Sequence, residues 1–166
     1  MEYNGNEMMK SANNLQTDNV NAIDGYNITT DKTCIDIKVV HHFIASSYWA
    51  KNIPLNVLQK AIKNSLCFSV LAQDNQQVGF ARLISDKATF AYLADVFVVD
   101  EHRGKGLSKW LIETIVCHPE TTGLRRMMLA TSDAHGLYAQ FGFLPIDNPE
   151  ILMQIWQPNI YSMTKG

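Results

Sequence analysis

At 166 residues, 46% hydrophobic and 18% charged, the chain is long enough for one well-buried core and too short to make two ordinary domains the expectation. A formal charge of -2 supplies no broad attraction for nucleic acid or an anionic membrane surface, and no apolar run approaches the ~20 residues of a spanning helix. Cys34, Cys67 and Cys117 have no CxxC spacing, and the opening residues lack the pattern of a secretory leader, so a reducing cytoplasm is the expected setting.

Residues 1–25, rich in Asn and poor in large aliphatics, offer little apolar surface to offset the entropy of ordering; they read as a polar arm before a single domain over 26–166. YNITT (26–30) suits a short strand, and Asp36 is placed to cap a helix that clusters Val39, Val40, Phe43 and Ile44 on one side and ends by Ser47. Pro54 suits the first turn of a second helix, where Leu55, Leu58 and Ile62 follow the i, i+3, i+7 pattern. LCFSVLA (66–72) and QVGFARLIS (77–85) flank the polar turn QDNQ, and TFAYLADVFVV (89–99) extends this hairpin into an antiparallel meander. A helix to about Cys117 then carries Leu107, Trp110, Leu111, Thr114 and Ile115 on one face. RRMMLAT (125–131) reads as a strand, Ser132 or Asp133 as the cap of a short helix, and GFLPI (142–146) as a final extended segment. The expected order is βααβββαβαβ. In the tail, Ile151, Leu152, Ile155 and Trp156 fall at helical spacing, fit to cover the core or to form a homodimer contact.

VFVVDEHRGKGLSKWLIETI (96–115) carries the chemistry. A strand that feeds a helix through a glycine turn aims backbone N–H groups at one spot, and the helix dipole adds positive potential there. Gly104 and Gly106 allow close approach, while Arg103 and Lys105 bring charge suited to phosphate oxygens. A simple tight connection explains the same spacing about equally well. GxxxxGK[ST] is absent, and GxGxxG from Gly104 fails because position 109 is Lys.

Glu101-His102-Arg103-Gly104-Lys105-Gly106 resembles the coenzyme A signature [QR]-x-x-G-x-[GA] of the GNAT acyltransferases at both glycine positions. It departs at Glu101, and the longer family run is also altered at Asp100 and Ser108. LATSDAHGLYAQFGFLP (129–145) is similar to the family's downstream block, with Tyr138 followed by Gly142-Phe143. The resemblance implies a layered α/β fold, a mixed and mostly antiparallel sheet flanked by helices, and transfer of an acetyl group from acetyl coenzyme A to a primary amine of a small molecule, peptide or protein. The alternative is a sensor that binds acyl coenzyme A without turnover. By analogy, Phe97, Val98 and Val99 run along the pantetheine arm and give the oxyanion an N–H; Arg103, Gly104, Lys105, Gly106, Leu107 and Ser108 hold the diphosphate.

Tyr138 is the expected general acid, since a phenol near pKa ~10 lies close to an alkyl thiol. Its alternative is an aromatic packed beneath the coenzyme, and His135 on the same short helix is expected to line the cofactor. Asp95 is a carboxylate in a largely apolar strand; it is either a base or the partner of Arg82 on the adjacent strand, the latter slightly favoured. Tyr92 is a comparable candidate for touching substrate, but strand alternation lets only one of Tyr92 and Asp95 face the cleft unless a bulge intervenes. Tyr48 and Trp49 fall between the first two helices and suit an aromatic wall of the acceptor site as well as they suit core packing. Ser132, Asp133 and His135 have no G-x-S-x-G elbow, and His41-His42 and Cys117-His118 lack zinc-site spacing, so neither a hydrolase triad nor a metal is expected.

Overall fold

The computed structural model describes residues 22–162. Most of the 1–25 arm lies outside them, but Ile23 packs against the core, and its carbonyl accepts from Tyr26 N–H as the chain enters the first strand. The elements are β1 (Tyr26–Thr29), α1 (Ile37–Ser46), α2 (Leu55–Lys63), β2 (Leu66–Ala72), β3 (Gln77–Ser85), β4 (Phe90–Val98), α3 (Leu107–Val116), β5 (Arg126–Met128) and α4 (His135–Ala139). The strands form one sheet in the order β1-β2-β3-β4-β5. The first four are antiparallel neighbours, whereas β5 lies parallel to β4, so a crossover is required and α3 provides it.

Helices cover both faces of the sheet. On one, Val40 and Ile44 of α1 and Leu58 and Ile62 of α2 pack with Cys67, Phe80 and Phe97. On the other, Leu107, Trp110, Leu111, Ile112 and Ile115 of α3 pack with Phe68, Val70, Val78, Leu83 and Leu93. The Asp36 carboxylate caps α1 by accepting from Lys38 N and Val39 N. Its own N–H donates to the buried Gln77 side chain, whose amide in turn donates to Ser69 Oγ, so the cap is tied to the sheet.

Two bulges set which face each strand residue meets. Val78 is the extra residue opposite Val70/Leu71. In β4, Phe80 opposes Phe97 but Arg82 opposes Ala94, which leaves Asp95 and Val96 facing Ala81 alone. Ala91 and Leu93 therefore pack toward α3, while Phe97 packs on the opposite face, stacked on Phe43 at 4.0 Å.

Some sequence expectations need correction. GFLPI forms no strand: Phe143 N–H bonds back to the Tyr138 carbonyl, Pro145 lacks a donor, and Leu144 and Ile146 are exposed. The described order is thus βααβββαβα. RRMMLAT contributes only the three residues of β5. The short helix α4 has Ala134 at its N-cap, and Thr131 Oγ1, rather than Ser132 or Asp133, accepts from Ala134 N–H. The tail makes one 3-10 turn at Pro149–Ile151 and is otherwise irregular, with Met153, Ile155 and Trp156 strongly exposed. Confined between Pro149 and Pro158, that run is too short to nucleate a helix. No described helix is long and apolar enough to cross a membrane.

Candidate active site

β4 and β5 pair only over Phe90–Tyr92 with Arg126–Met128. Beyond that point the strands part, and the gap is a cleft of about 630 Å³. β4 contributes Tyr92 to Val96, the segment after β5 contributes Leu129 to Ala134, and the α1–α2 loop contributes Tyr48 and Trp49. A parallel sheet that splits at the carboxyl ends of its strands exposes main-chain groups without a ladder partner, a suitable surface for an extended ligand.

The β4 bulge determines the polar centre of this cleft. Asp95 adopts φ 56, in the left-handed region. That turn carries its carboxylate to the face of Arg82, where Oδ2 accepts from Arg82 Nε at 2.7 Å and Oδ1 accepts from Trp49 Nε1 at 3.1 Å. Arg82 also donates to Ser65 Oγ. The ion-pair reading of Asp95 is therefore the one formed, with both carboxylate oxygens engaged. The same bulge resolves the alternation conflict, because Tyr92 and Asp95 both line the cleft. Tyr48 and Trp49 are 66% and 44% exposed, so neither is core, and their rings meet edge to face at 5.0 Å. Tyr48 Oη accepts from Ser132 Oγ at 2.9 Å, bridging the α1–α2 loop to the segment after β5.

Tyr138 projects from α4 into the same cleft, and its ring is 9% exposed with Phe143 against it. Burial first, then the nearby Tyr48 and Asp133, push its phenol up to about 12. It is consequently a neutral O–H donor throughout the ordinary working range. No described residue takes its hydroxyl in a hydrogen bond.

The glycine turn forms a second cavity of about 290 Å³, lined by Val98, His102, Arg103, Gly104, Gly106, Leu107, Ser108, Lys109 and Leu137. Gly104 and Gly106 have φ 76 and 81, the left-handed conformation that a side chain opposes, and Gly106 is the N-cap of α3 with no side-chain cap. The first turn of α3 holds no acidic residue.

Other expected residues fall differently. Phe97 is core, so its side chain is turned away from any coenzyme. Val99 N–H donates to Val78 O, which removes it as an oxyanion donor; Val98, one residue earlier in the alternation, directs its main chain to the other side, where its carbonyl accepts from Arg103 Nε. Arg103 is also paired with Asp100 at 2.9 Å. Lys105 lines neither cavity and instead donates to Tyr26 Oη, which contacts His102 Nδ1. His135 is exposed outside both cavities, whereas its helix neighbours Ala134 and Leu137 line one each. His41 and His118 make structural contacts, to Ile53 O and Glu120 N, and no three metal-ligating side chains cluster among the described residues.

Comparison with known proteins decides the family. A protein of Xanthomonas campestris pv. campestris assigned to the GNAT family is 50% identical, with TM-score 0.81 over 85% of this chain and 99% of that one. The chain belongs to the GNAT acetyltransferase family. The family described as "Acetyltransferase (GNAT) domain" matches residues 64–145, from β2 through α4. An uncharacterised N-acetyltransferase of Pyropia yezoensis is 28% identical over 170 residues, spanning 88% of this chain and 97% of that protein. At the level of fold alone, the N-acetylglutamate synthase of Neisseria gonorrhoeae, solved with coenzyme A and L-arginine, aligns with TM-score 0.61 and 17% identity over 77% of this chain and 29% of that one.

Within this GNAT protein, His102, Lys109, Asp133 and Tyr161 line the cavities but were not singled out as ligand contacts from sequence. Lys109 had a legible signal: a cation in the first helical turn opposes the macrodipole unless an anion sits there. Tyr161 had none, because its approach depends on an irregular tail.

Proposed function

We propose that this GNAT protein transfers the acetyl group of acetyl coenzyme A directly to the primary amine of a small-molecule acceptor, with both bound at once. The supporting observation is the parted β4/β5 cleft, with the Tyr138 phenol inside it and the glycine-turn cavity adjoining through α4. The diphosphate rests on the N–H groups of residues 104 to 108, aided by Lys109 and by an Arg103 that exchanges Asp100 for phosphate. The pantetheine arm follows the side of Val98 turned away from β3, and the Val98 N–H faces the thioester.

The neutral amine attacks the thioester carbonyl, a C–N bond forms, and the C–S bond breaks as the tetrahedral intermediate collapses. Tyr138 gives its proton to the departing thiolate. The nitrogen releases one proton through solvent to restore the phenol, so neutral amine and thioester become amide and thiol with no net proton change. The desolvation that raises the phenol also acts on a thiolate leaving into the same cleft, which keeps donor and acceptor matched. Asp95 is a positioning residue that holds Arg82 and Trp49 in place. Tyr138→Phe should lower kcat by about 100-fold or more while acetyl coenzyme A affinity stays within about threefold. An unchanged kcat would remove Tyr138 from the mechanism.

A further inference from the structure

The acceptor end of the cleft has a chemical bias that family membership does not specify. Tyr48 and Trp49 are exposed, yet each is held by its polar tip: Tyr48 by Ser132, and Trp49 by Asp95. Core packing does not account for exposed rings fixed in this way, but a preorganised aromatic wall does, because its rotamers need not be frozen when a ligand arrives. Tyr92 and Ile84 extend the same apolar surface along the strands.

The charge in the lining is equally informative. Arg82 is the cationic side chain among the described lining residues, and it is committed to Asp95 at 2.7 Å. Asp133 is exposed at the rim with no described salt-bridge partner, close enough to influence Tyr138. The uncompensated charge is therefore negative. An acceptor carboxylate or phosphate would meet Asp133 with no free cation among the described lining residues to receive it, whereas an ammonium would be drawn in, its apolar body on the aromatic faces, and would give its extra proton to solvent before attack.

Resting on the acetyltransferase reading above, we propose that the acceptor is a primary amine on an apolar aryl or alkyl body, its ammonium drawn by Asp133 and its body against Tyr48, Trp49 and Tyr92, and that amines bearing a carboxylate or phosphate are excluded.

The test uses matched pairs that differ in one carboxylate, phenethylamine against phenylalanine and tryptamine against tryptophan, with hexylamine and glucosamine 6-phosphate beside them. With acetyl coenzyme A saturating the full chain, thiol release should give the decarboxylated member of each pair a kcat/KM about 100-fold or more higher, as like-charge juxtaposition requires. Asp133→Asn should narrow that ratio by about tenfold, mainly through KM of the amine, while acetyl coenzyme A affinity is unchanged. Equal or better use of phenylalanine, tryptophan or the sugar phosphate would overturn the proposal. So would a ratio unmoved by Asp133→Asn in a variant that melts like the parent. If no acceptor turns over, the pairs are titrated into the coenzyme-loaded protein: tighter binding of the amines supports the proposal, and its absence overturns it. Failure of acetyl coenzyme A itself to bind would instead sink the acetyltransferase reading.

Discussion

Replacing Asp95 by Ala tests the account where fold and site meet. In the folded chain, the Asp95 and Arg82 side chains are 7% and 15% exposed, so solvent screens their 2.7 Å contact only weakly. Removing one partner of a pair this buried costs about 3–5 kcal/mol in general, but Ser65 Oγ still accepts from Arg82 and the guanidinium retains some access to water, which places the loss near ~3 kcal/mol. Alanine also tolerates φ 56 less well than aspartate, adding a contribution of about 1 kcal/mol or less. At roughly 2–4 °C per kcal/mol for a chain of this size, the melting temperature should fall by about 6–16 °C. Asp95→Asn keeps an acceptor for Trp49 and tolerates the left-handed backbone, so it should lose about half as much. Thermal and urea denaturation read both variants, with acetyl coenzyme A titration as a control that should move little. Kinetics separates positioning from base catalysis: Asn should raise the acceptor KM and lower kcat less than about tenfold, whereas loss of a true base costs ~10²–10⁴. A melting shift below about 1 °C for Asp95→Ala, or a collapse of kcat for Asp95→Asn without a KM change, would refute this reasoning.

Three further outcomes follow from the same geometry. Gly106→Ala meets nothing closer than Ile23 Cδ1 at 3.7 Å, so its cost should be the backbone strain of about 1–2 kcal/mol; its methyl in the loop cavity should weaken coenzyme A about tenfold or more by calorimetry. Because the Tyr138 phenol is raised to about 12 in the fold from an ordinary value near 10, its contribution to stability is intact below pH 10 and is lost as pH climbs through 12; Tyr138→Phe should flatten that part of a denaturation-versus-pH curve. Burial pushes the Cys67 thiol up to about 11, while Cys34 is exposed, so a disulfide reagent at pH 8 should modify Cys34 quickly and Cys67 only after unfolding.

The parts of this fold legible in the sequence are those where local chemistry and tertiary context agree. The β2–β3 hairpin matches its apolar runs residue for residue, and Asp36 caps α1 as its side chain predisposes it to do. The glycine turn was readable because two left-handed positions demanded glycine. The parts that escaped depend on long-range geometry. A bulge inverts the facing of Phe97 relative to Leu93, and nothing in the alternation of FAYLADVFV marks its place except the presence of an acidic residue. The fate of Lys105 was likewise hidden, since Tyr26 reaches it from 79 residues away, whereas the partner of Arg103, Asp100, stands only three residues before it. The tail failed for a different reason: Ile151, Leu152, Ile155 and Trp156 match a helical period over a stretch too short, between Pro149 and Pro158, for the period to mean a helix.

The most direct test of the central claim is calorimetric titration of the full chain with acetyl coenzyme A, repeated with Gly104→Ala/Gly106→Ala. The account predicts saturable binding of about one molecule per chain and its loss in a double variant that remains folded. A folded parent protein that fails to bind, or a double variant that binds as tightly as the parent, would contradict it.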